Sequence, residues 1–110
     1  MEKRRTQLLL KALGQRIREL RTERGYSQEG FADKCGVHRT FMGSVERGES
    51  NLSFGNIAKV ATTLGLSLAT LFEGVERRAQ ALASKPAVRQ FRDKPRMRPN
   101  AAKGAATKPA

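Results

Sequence analysis

The stretch from Gln28 to Val45, QEGFADKCGVHRTFMGSV, decides the fold. Its apolar side chains recur four residues apart in the first half and three apart in the second half, which is helical spacing. Gly36, between the two halves, is typical of a residue that ends a helix with a positive φ. The apolar set consists of Phe31, Cys35, Val37, Met42 and Val45. The stretch therefore predicts two short helices joined by a sharp turn, a helix-turn-helix.

The segment before this stretch predicts a first helix. Apolar residues recur there every three or four positions, with charged residues between them, and Gly25 ends the pattern. Gly14 lies within the pattern and costs a helix about 1 kcal/mol relative to alanine, which favours a helix start near Leu13. Residues 1–7 are predicted to be frayed. The apolar set consists of Leu10, Leu13, Ile17 and Leu20.

The segment after this stretch predicts two more helices. Ser53 and Ser67 are suited to cap their first turns, and Gly65 ends the first of the two. The second is predicted to continue past Gly74. No segment has an alternating strand pattern of useful length. We therefore predict an all-α domain of five helices around one core, in residues 8–83.

Positive charge is the main compositional feature of this chain of 110 residues, whose formal net charge is +12. Residues 1–83 contain 14 Lys and Arg against 9 Asp and Glu, and residues 84–110 contain 8 against 1. This excess indicates a polyanionic partner or a solubilising tail. Four Lys-Pro or Arg-Pro pairs break helices after residue 84, and like charges repel, so we predict that residues 84–110 form a disordered basic tail.

Several short motifs occur in the order SQE, FA, GV, VERG and NLS. Together they resemble the phage-repressor-like helix-turn-helix family, of the xenobiotic-response-element type, over residues 13–72. The segment HRTFMGSVERGESNLS is most similar to the controller proteins of restriction-modification systems. The resemblance implies a five-helix lambda-repressor-like domain that binds double-stranded DNA through a recognition helix at about 38–47. Gly30 and Gly43 depart from the family, which usually has Glu and a small polar residue there.

The outward, N-terminal positions of a helix in the major groove reach the base edges. In the predicted recognition helix these positions hold Arg39 and Thr40 and, one turn later, Gly43 and Ser44. Arg39 would donate a bidentate pair to guanine, a contact worth about 1 to 3 kcal/mol of discrimination. By resemblance, Arg39, Thr40 and Ser44 read bases, while Gly43 on the same face would allow a close backbone approach.

The resemblance also assigns residues to the DNA backbone. Gln28 begins the second helix, whose N–H groups and dipole attract phosphate, and Ser27 is its cap. Arg47 and Asn51 flank the far end of the recognition helix, although Arg47 also suits a solvated helix end. Phe41 leaves two alternatives open, which are packing beneath the helix and contact with a thymine methyl group or a sugar.

Two further assignments concern architecture. By resemblance, Arg21 and Glu46 form a half-buried ion pair that fixes the angle between the first helix and the recognition helix. The last helix has more apolar residues than one short helix needs, which predicts a homodimer with recognition helices about 34 Å apart. The predicted dimer interface consists of Leu68, Leu71, Phe72 and Val75, with Ala79 and Leu82 in the same apolar set.

These features favour a sequence-specific DNA-binding transcriptional regulator, a homodimer on a palindromic operator. The alternative is an antitoxin or bridging protein whose helix-turn-helix domain mainly docks a protein, and RNA polymerase is a candidate protein partner. The tail either adds sequence-independent phosphate contacts or only solubilises the chain. In the first case, deleting residues 84–110 would lower the affinity for all DNA and keep the specificity ratio.

Other activities find little support in the sequence. Cys35 is the single cysteine of the chain, so an internal disulfide is excluded. It falls on a predicted buried face, which indicates a small core residue and is consistent with a reducing cytoplasm. The apolar cluster from Leu8 to Leu10 is too short for a membrane span or a signal sequence. We expect a cytoplasmic, nucleoid-associated protein with no membrane partner. One histidine and one cysteine form no set of metal ligands and no nucleophile with a base, so no metal, cofactor or enzyme activity is expected.

Overall fold

The computed structural model describes residues 2–84, which form helices joined by short turns and contain no strand. The all-α prediction is therefore confirmed. The predicted basic tail lies outside the described residues except for Ser84, which ends the last helix. The helices are α1 (Glu2–Glu23), α2 (Gln28–Cys35), α3 (Arg39–Glu46), α4 (Phe54–Leu64), α5 (Leu68–Phe72) and α6 (Val75–Ser84).

One apolar core joins all six helices of the described part. Phe31, Met42 and Leu71 have no exposed surface at all, so the second, third and fifth helices each send one side chain into its centre. None of the helices within residues 2–84 combines the length and the apolar composition needed to cross a membrane. The buried apolar residues are Ala12, Leu13, Ile17, Leu20, Phe31, Ala32, Cys35, Met42, Val45, Leu52, Val60, Ala61, Leu64, Leu71, Val75 and Ala79.

The first helix is longer than predicted. It begins at Glu2, so the start near Leu13 is wrong, and residues 2–7, predicted to be frayed, are helical. Leu8 and Leu9 pack against the core and line a groove with α6, which gives the N-terminal half of α1 an apolar partner. Gly14 is buried where α1 crosses α3, and a Cβ atom there would lie 2.7 Å from the carbonyl oxygen of Glu46. This close approach compensates for the low helix propensity of glycine.

The last predicted helix is divided in two at Gly74, whose φ of +77° is incompatible with a continuous helix. The chain turns there, and α6 packs along α1. Leu71 is therefore fully buried and Val75 is 5% exposed. Their assignment to a dimer interface is wrong, because α1 covers this side of α5 and α6 within one chain. Phe72 is 39% exposed and Leu68 is half-buried.

Arg16 in α1 and Arg24, which directly follows α1, each contact the end of another helix. Arg16 donates hydrogen bonds to the carbonyl oxygens of Leu71 at 3.2 Å and of Thr70 at 2.8 Å, in the last turn of α5. Arg24 donates one to the carbonyl oxygen of Leu64 at 3.0 Å, at the end of α4. The last carbonyl groups of a helix have no partner within it. The guanidinium groups of Arg16 and Arg24 therefore provide hydrogen-bond partners for carbonyl groups at the ends of α5 and α4.

An ion pair joins α6 to α1. The guanidinium group of Arg78 donates two hydrogen bonds to the carboxylate of Glu19, at 2.7 and 2.8 Å. These hydrogen bonds raise the pKa of Arg78 above its ordinary value. The pair adds a polar contact to the apolar packing between the two helices.

Candidate nucleic-acid interface

The turn between α2 and α3 is built by Gly36 and Val37. Gly36 has a φ of +76°, and its N–H group donates to the carbonyl oxygen of Asp33 at 3.1 Å. The N–H group of Val37 donates to the carbonyl oxygen of Ala32 at 3.0 Å, and its side chain packs against the core. This is the glycine-terminated helix end that the sequence predicts. His38 then caps α3, since its Nδ1 atom accepts a hydrogen bond of 3.2 Å from the N–H group of Thr40.

One face of α3 is anchored and the other is exposed. Met42 and Val45 are buried in the core, with exposed fractions of 0% and 1%. Arg39 and Thr40, two of the predicted base-reading residues, are exposed in the first turn, and Arg47 is exposed just after the last turn. The helix therefore presents its N-terminal side chains to solvent from a fixed support.

Arg39 makes one weak contact within the chain. Its Nη1 atom lies 3.4 Å from Oε1 of Glu29 on α2, and the two side chains are 66% and 73% exposed. Exposed ion pairs of this kind contribute between about 0 and 1 kcal/mol. Arg39 can therefore exchange Glu29 for another partner at little cost.

Ser44 is less accessible than Arg39. Its side chain is half-buried, and its hydroxyl group donates to the carbonyl oxygen of Phe41 at 3.0 Å and also forms a hydrogen bond with the hydroxyl group of Ser50. A base contact by Ser44 would have to replace one of these partners. Phe41 is itself half-buried against the core, as in the first of the two alternatives for this residue.

Gly43 is buried, although it lies on the predicted reading face. A Cβ atom there would lie 3.2 Å from Nη1 of Arg47 and 3.4 Å from Oε1 of Gln28. The side chains of Gln28 and Arg47, both assigned to the DNA backbone, therefore meet above Gly43. The glycine makes room for them, so the start of α2 and the end of α3 lie side by side.

Arg21 and Glu46 form a two-point ion pair. Arg21 Nε lies 2.6 Å from Glu46 Oε2, and Arg21 Nη2 lies 3.0 Å from Oε1. The side chains are only 12% and 4% exposed. Arg21 also donates to the carbonyl oxygen of Tyr26 at 2.8 Å, and Gln28 donates its amide to Glu46 Oε1 at 3.1 Å. The predicted Arg21–Glu46 pair is thus present, whereas the bond from Gln28 to the same carboxylate is an additional contact that the resemblance does not indicate.

The remaining predicted backbone residues surround this network. Ser27 caps α2, since its hydroxyl oxygen accepts a hydrogen bond of 2.9 Å from the N–H group of Gly30. Arg47 Nε lies 3.1 Å from Glu49 Oε1, with both side chains about 60% exposed. Asn51 is exposed in the following loop. Hydroxyl, amide and guanidinium groups thus flank α3, and each can donate a hydrogen bond to an anion.

Cys35 lies on the inner side of α2, away from this face. Its burial raises the pKa of the thiol, and a hydrogen bond with Thr63 and the charge of Lys59 oppose that effect. A buried thiol with a raised pKa is a poor nucleophile. The geometry fits a core residue.

Comparison with known proteins gives consistent matches. A family model described as Helix-turn-helix matches residues 17–71. Control protein C.MunI from a Mycoplasma species is 37% identical over 65 residues, which make up 58% of this chain and 88% of that protein. The crystal structure of the restriction-modification controller protein C.AhdI from Aeromonas hydrophila is 49% identical, with a TM-score of 0.56 over 57% of this chain and 96% of that chain. The restriction-modification controller protein C.Esp1396I, a tetramer in complex with its natural 35 base-pair operator, is 28% identical, with a TM-score of 0.59 over 66% and 95% of the two chains.

Proposed function

The chain belongs to the helix-turn-helix family of DNA-binding transcriptional regulators, and on this basis we propose that it acts as a homodimer on a palindromic operator. The observation that carries the proposal is the exposure of Arg39 and Thr40 at the N-terminal end of α3, while Met42 and Val45 anchor the opposite face. In this arrangement the fold presents two base-reading side chains without exposing its core.

Base reading takes place in the major groove, which is wide enough for one helix. Arg39 leaves Glu29 and donates two hydrogen bonds to a guanine, which presents O6 and N7 as adjacent acceptors. Thr40 contacts a neighbouring base edge or a thymine methyl group. Ser44 joins them by exchanging its bond to Ser50 for a base. The few atoms of Arg39 and Thr40 therefore provide most of the sequence discrimination.

The DNA backbone sets the depth and register of α3. The N–H groups at the start of α2 and the side chain of Gln28 face a phosphate group, with Arg47 beside them. Because Gln28 also bonds to Glu46, a phosphate held by α2 is coupled to the end of α3. Asn51 contacts the same strand further along.

The proposed dimer uses apolar side chains that stay exposed or half-buried within one chain. Phe72 is 39% exposed, Leu68 is half-buried, and Phe54 at the start of α4 is 69% exposed. Exposed phenylalanines are costly in a monomer and are enriched in the cores of interfaces. One α3 reads only a few base pairs, so a second copy is needed for useful specificity. The relative C.Esp1396I occupies its operator as a tetramer, which supports assembly on DNA.

Selection of bound fragments from a random DNA pool tests the proposal. The expected product is one enriched sequence with two symmetric half-sites centred about one helical turn apart, which the wild-type protein binds at least ~10³-fold more tightly than a scrambled duplex at physiological salt. A ratio close to one would reject specific regulation in favour of a protein-docking role. An enriched sequence without symmetry would reject the palindromic dimer and keep DNA reading.

A further inference from the structure

A groove runs between the N-terminal half of α1 and the loop that follows α3. We call it the α1 lysine groove. The part of α1 that lines it precedes residues 17–71, which match the family model. Its lining consists of Lys3, Thr6, Gln7, Leu10 and Lys11 from α1 and of Arg47, Gly48, Glu49 and Asn51 from the loop.

Two glycine contacts hold the walls of the groove together. Gly48 has a φ of +77°, and a Cβ atom there would lie 2.5 Å from the Cα atom of Lys11. One helical turn further along α1, Gly14 meets the carbonyl oxygen of Glu46 at a distance of 2.7 Å from its virtual Cβ atom. Backbone packs directly on backbone at both points. The N-terminal half of α1 therefore has a fixed position relative to the end of α3.

The polar groups of the α1 wall remain available for binding. Lys3 and Lys11 are exposed, and neither lies within 4.0 Å of a carboxylate oxygen of residues 3–84. By contrast, Arg5 on an adjoining face pairs with Glu76 at 3.6 Å. Thr6 and Gln7 lie between the two lysines and are also exposed. The wall thus offers two ammonium groups with a hydroxyl and an amide between them.

We propose that the α1 lysine groove binds the phosphate backbone of double-stranded DNA, as an extension of the contacts of Arg47 and Asn51. The proposal rests on the proposed function, because α3 in the major groove brings a DNA strand to this loop. Eight residues separate Lys3 from Lys11, about 12 Å along a helix, whereas phosphates on one strand advance about 3.4 Å along the DNA axis. The two lysines are therefore far enough apart to contact different phosphates of one strand. Contacts of this kind strengthen binding without reading sequence.

The test compares two charge-matched double variants of the full chain. Lys3→Gln/Lys11→Gln removes two positive charges inside the groove, and Arg18→Gln/Arg77→Gln removes two from exposed positions of α1 and α6 outside it. Affinity is measured by fluorescence anisotropy over a series of salt concentrations. The probes are a random-sequence duplex and the duplex enriched by the wild-type protein. Thermal unfolding of each variant confirms that it is folded.

The groove variant is expected to reduce the magnitude of the salt slope by about 1.8 on both probes, since each lost phosphate contact removes about 0.9. The ratio between the probes should not change, and the control variant should keep the wild-type slope. A groove variant with the wild-type slope would overturn the proposal, and so would equal losses in the two variants. If no duplex is enriched, specific regulation fails, but the random duplex still decides whether the groove binds DNA.

A positional experiment gives independent evidence. A photo-crosslinker is attached at position 7 in a Gln7→Cys variant and, as a control, at position 18 in an Arg18→Cys variant. The buried thiol of Cys35 should not compete for the reagent. Crosslinking to duplex DNA from position 7 and not from position 18 is the expected result. Equal crosslinking from both positions would contradict a defined groove contact.

Discussion

The side-chain amide of Gln28 donates a hydrogen bond of 3.1 Å to Oε1 of Glu46, the oxygen atom that also accepts a bond from Arg21. The first residue of α2 is therefore joined to the last residue of α3 and, through Arg21, to α1. A residue with a proposed phosphate contact is thus part of the network that supports α3. Binding at the start of α2 and the orientation of α3 depend on the same carboxylate.

Glu46→Ala should lower the free energy of unfolding by about 3 to 5 kcal/mol, because it leaves the guanidinium of Arg21 without its partner at a nearly buried site. Denaturant titration measures the change. Glu49→Ala is the matched control, since it removes an exposed carboxylate from Arg47 and should change stability by less than about 0.5 kcal/mol. Equal changes in the two variants would show that the Arg21–Glu46 pair has no special structural role.

Alanine at two helical glycines should have effects of opposite sign. Gly14→Ala forces a methyl group against the carbonyl group of Glu46 and should destabilise the protein by about 1 to 3 kcal/mol. Gly43→Ala meets only the flexible ends of Arg47 and Gln28, so the higher helix propensity of alanine should stabilise it by up to about 1 kcal/mol. Thermal unfolding compares both variants with the wild type. A Gly14→Ala protein as stable as the wild type would argue against the close approach of α1 and α3.

Arg39→Ala should reduce sequence discrimination and leave the fold intact. The expected loss is about 1 to 3 kcal/mol at one base pair of each half-site, measured as relaxed selection at that position. Arg18→Ala, which removes an exposed arginine from α1, should keep the selected sequence unchanged. If Arg39→Ala weakens binding to all duplexes equally, Arg39 contacts the backbone and does not read a base.

The Cys35 thiol should make stability depend on alkaline pH. Because burial raises its pKa in the folded state, the unfolded chain loses this proton at a lower pH than the folded chain does. The thiol therefore contributes stability below the ordinary cysteine pKa, and this contribution is lost as the pH rises through the folded-state value. The difference in unfolding free energy between the wild type and Cys35→Ala, measured from pH 7 to pH 10, should shrink towards high pH. A constant difference would contradict the raised pKa.

Phe54→Ser and Phe72→Ser should each shift the protein from dimer towards monomer in sedimentation velocity, because they remove exposed apolar surface from the proposed interface. Ala81→Ser is a control at an exposed position of α6 and should sediment like the wild type. A wild-type protein that remains a monomer at the concentrations that bind DNA would reject the interface altogether.

Apolar spacing predicted the helix-turn-helix, its Gly36 turn and the burial of Met42, because these features depend on residues close in sequence. It did not predict the length of α1, since the partner of its first half is α6, more than 60 residues later. Helix propensity alone makes Gly14 a weak point in a helix, whereas the residue lies at the contact between two helices. The burial of Leu71 and the bond from Gln28 to Glu46 are likewise long-range properties, which spacing along one helix does not specify.

The packing of α6 along α1 also has a consequence for synthesis. Chains leave the ribosome N-terminus first, and domains fold as units once their parts are available. Until Val75–Ser84 has emerged, the first half of α1 lacks the apolar contact that α6 provides, although α2 and α3 have already been made. The helices proposed to contact DNA therefore precede the completion of their own support. A nascent chain completes the packing around α1 only when its last described helix is free to dock.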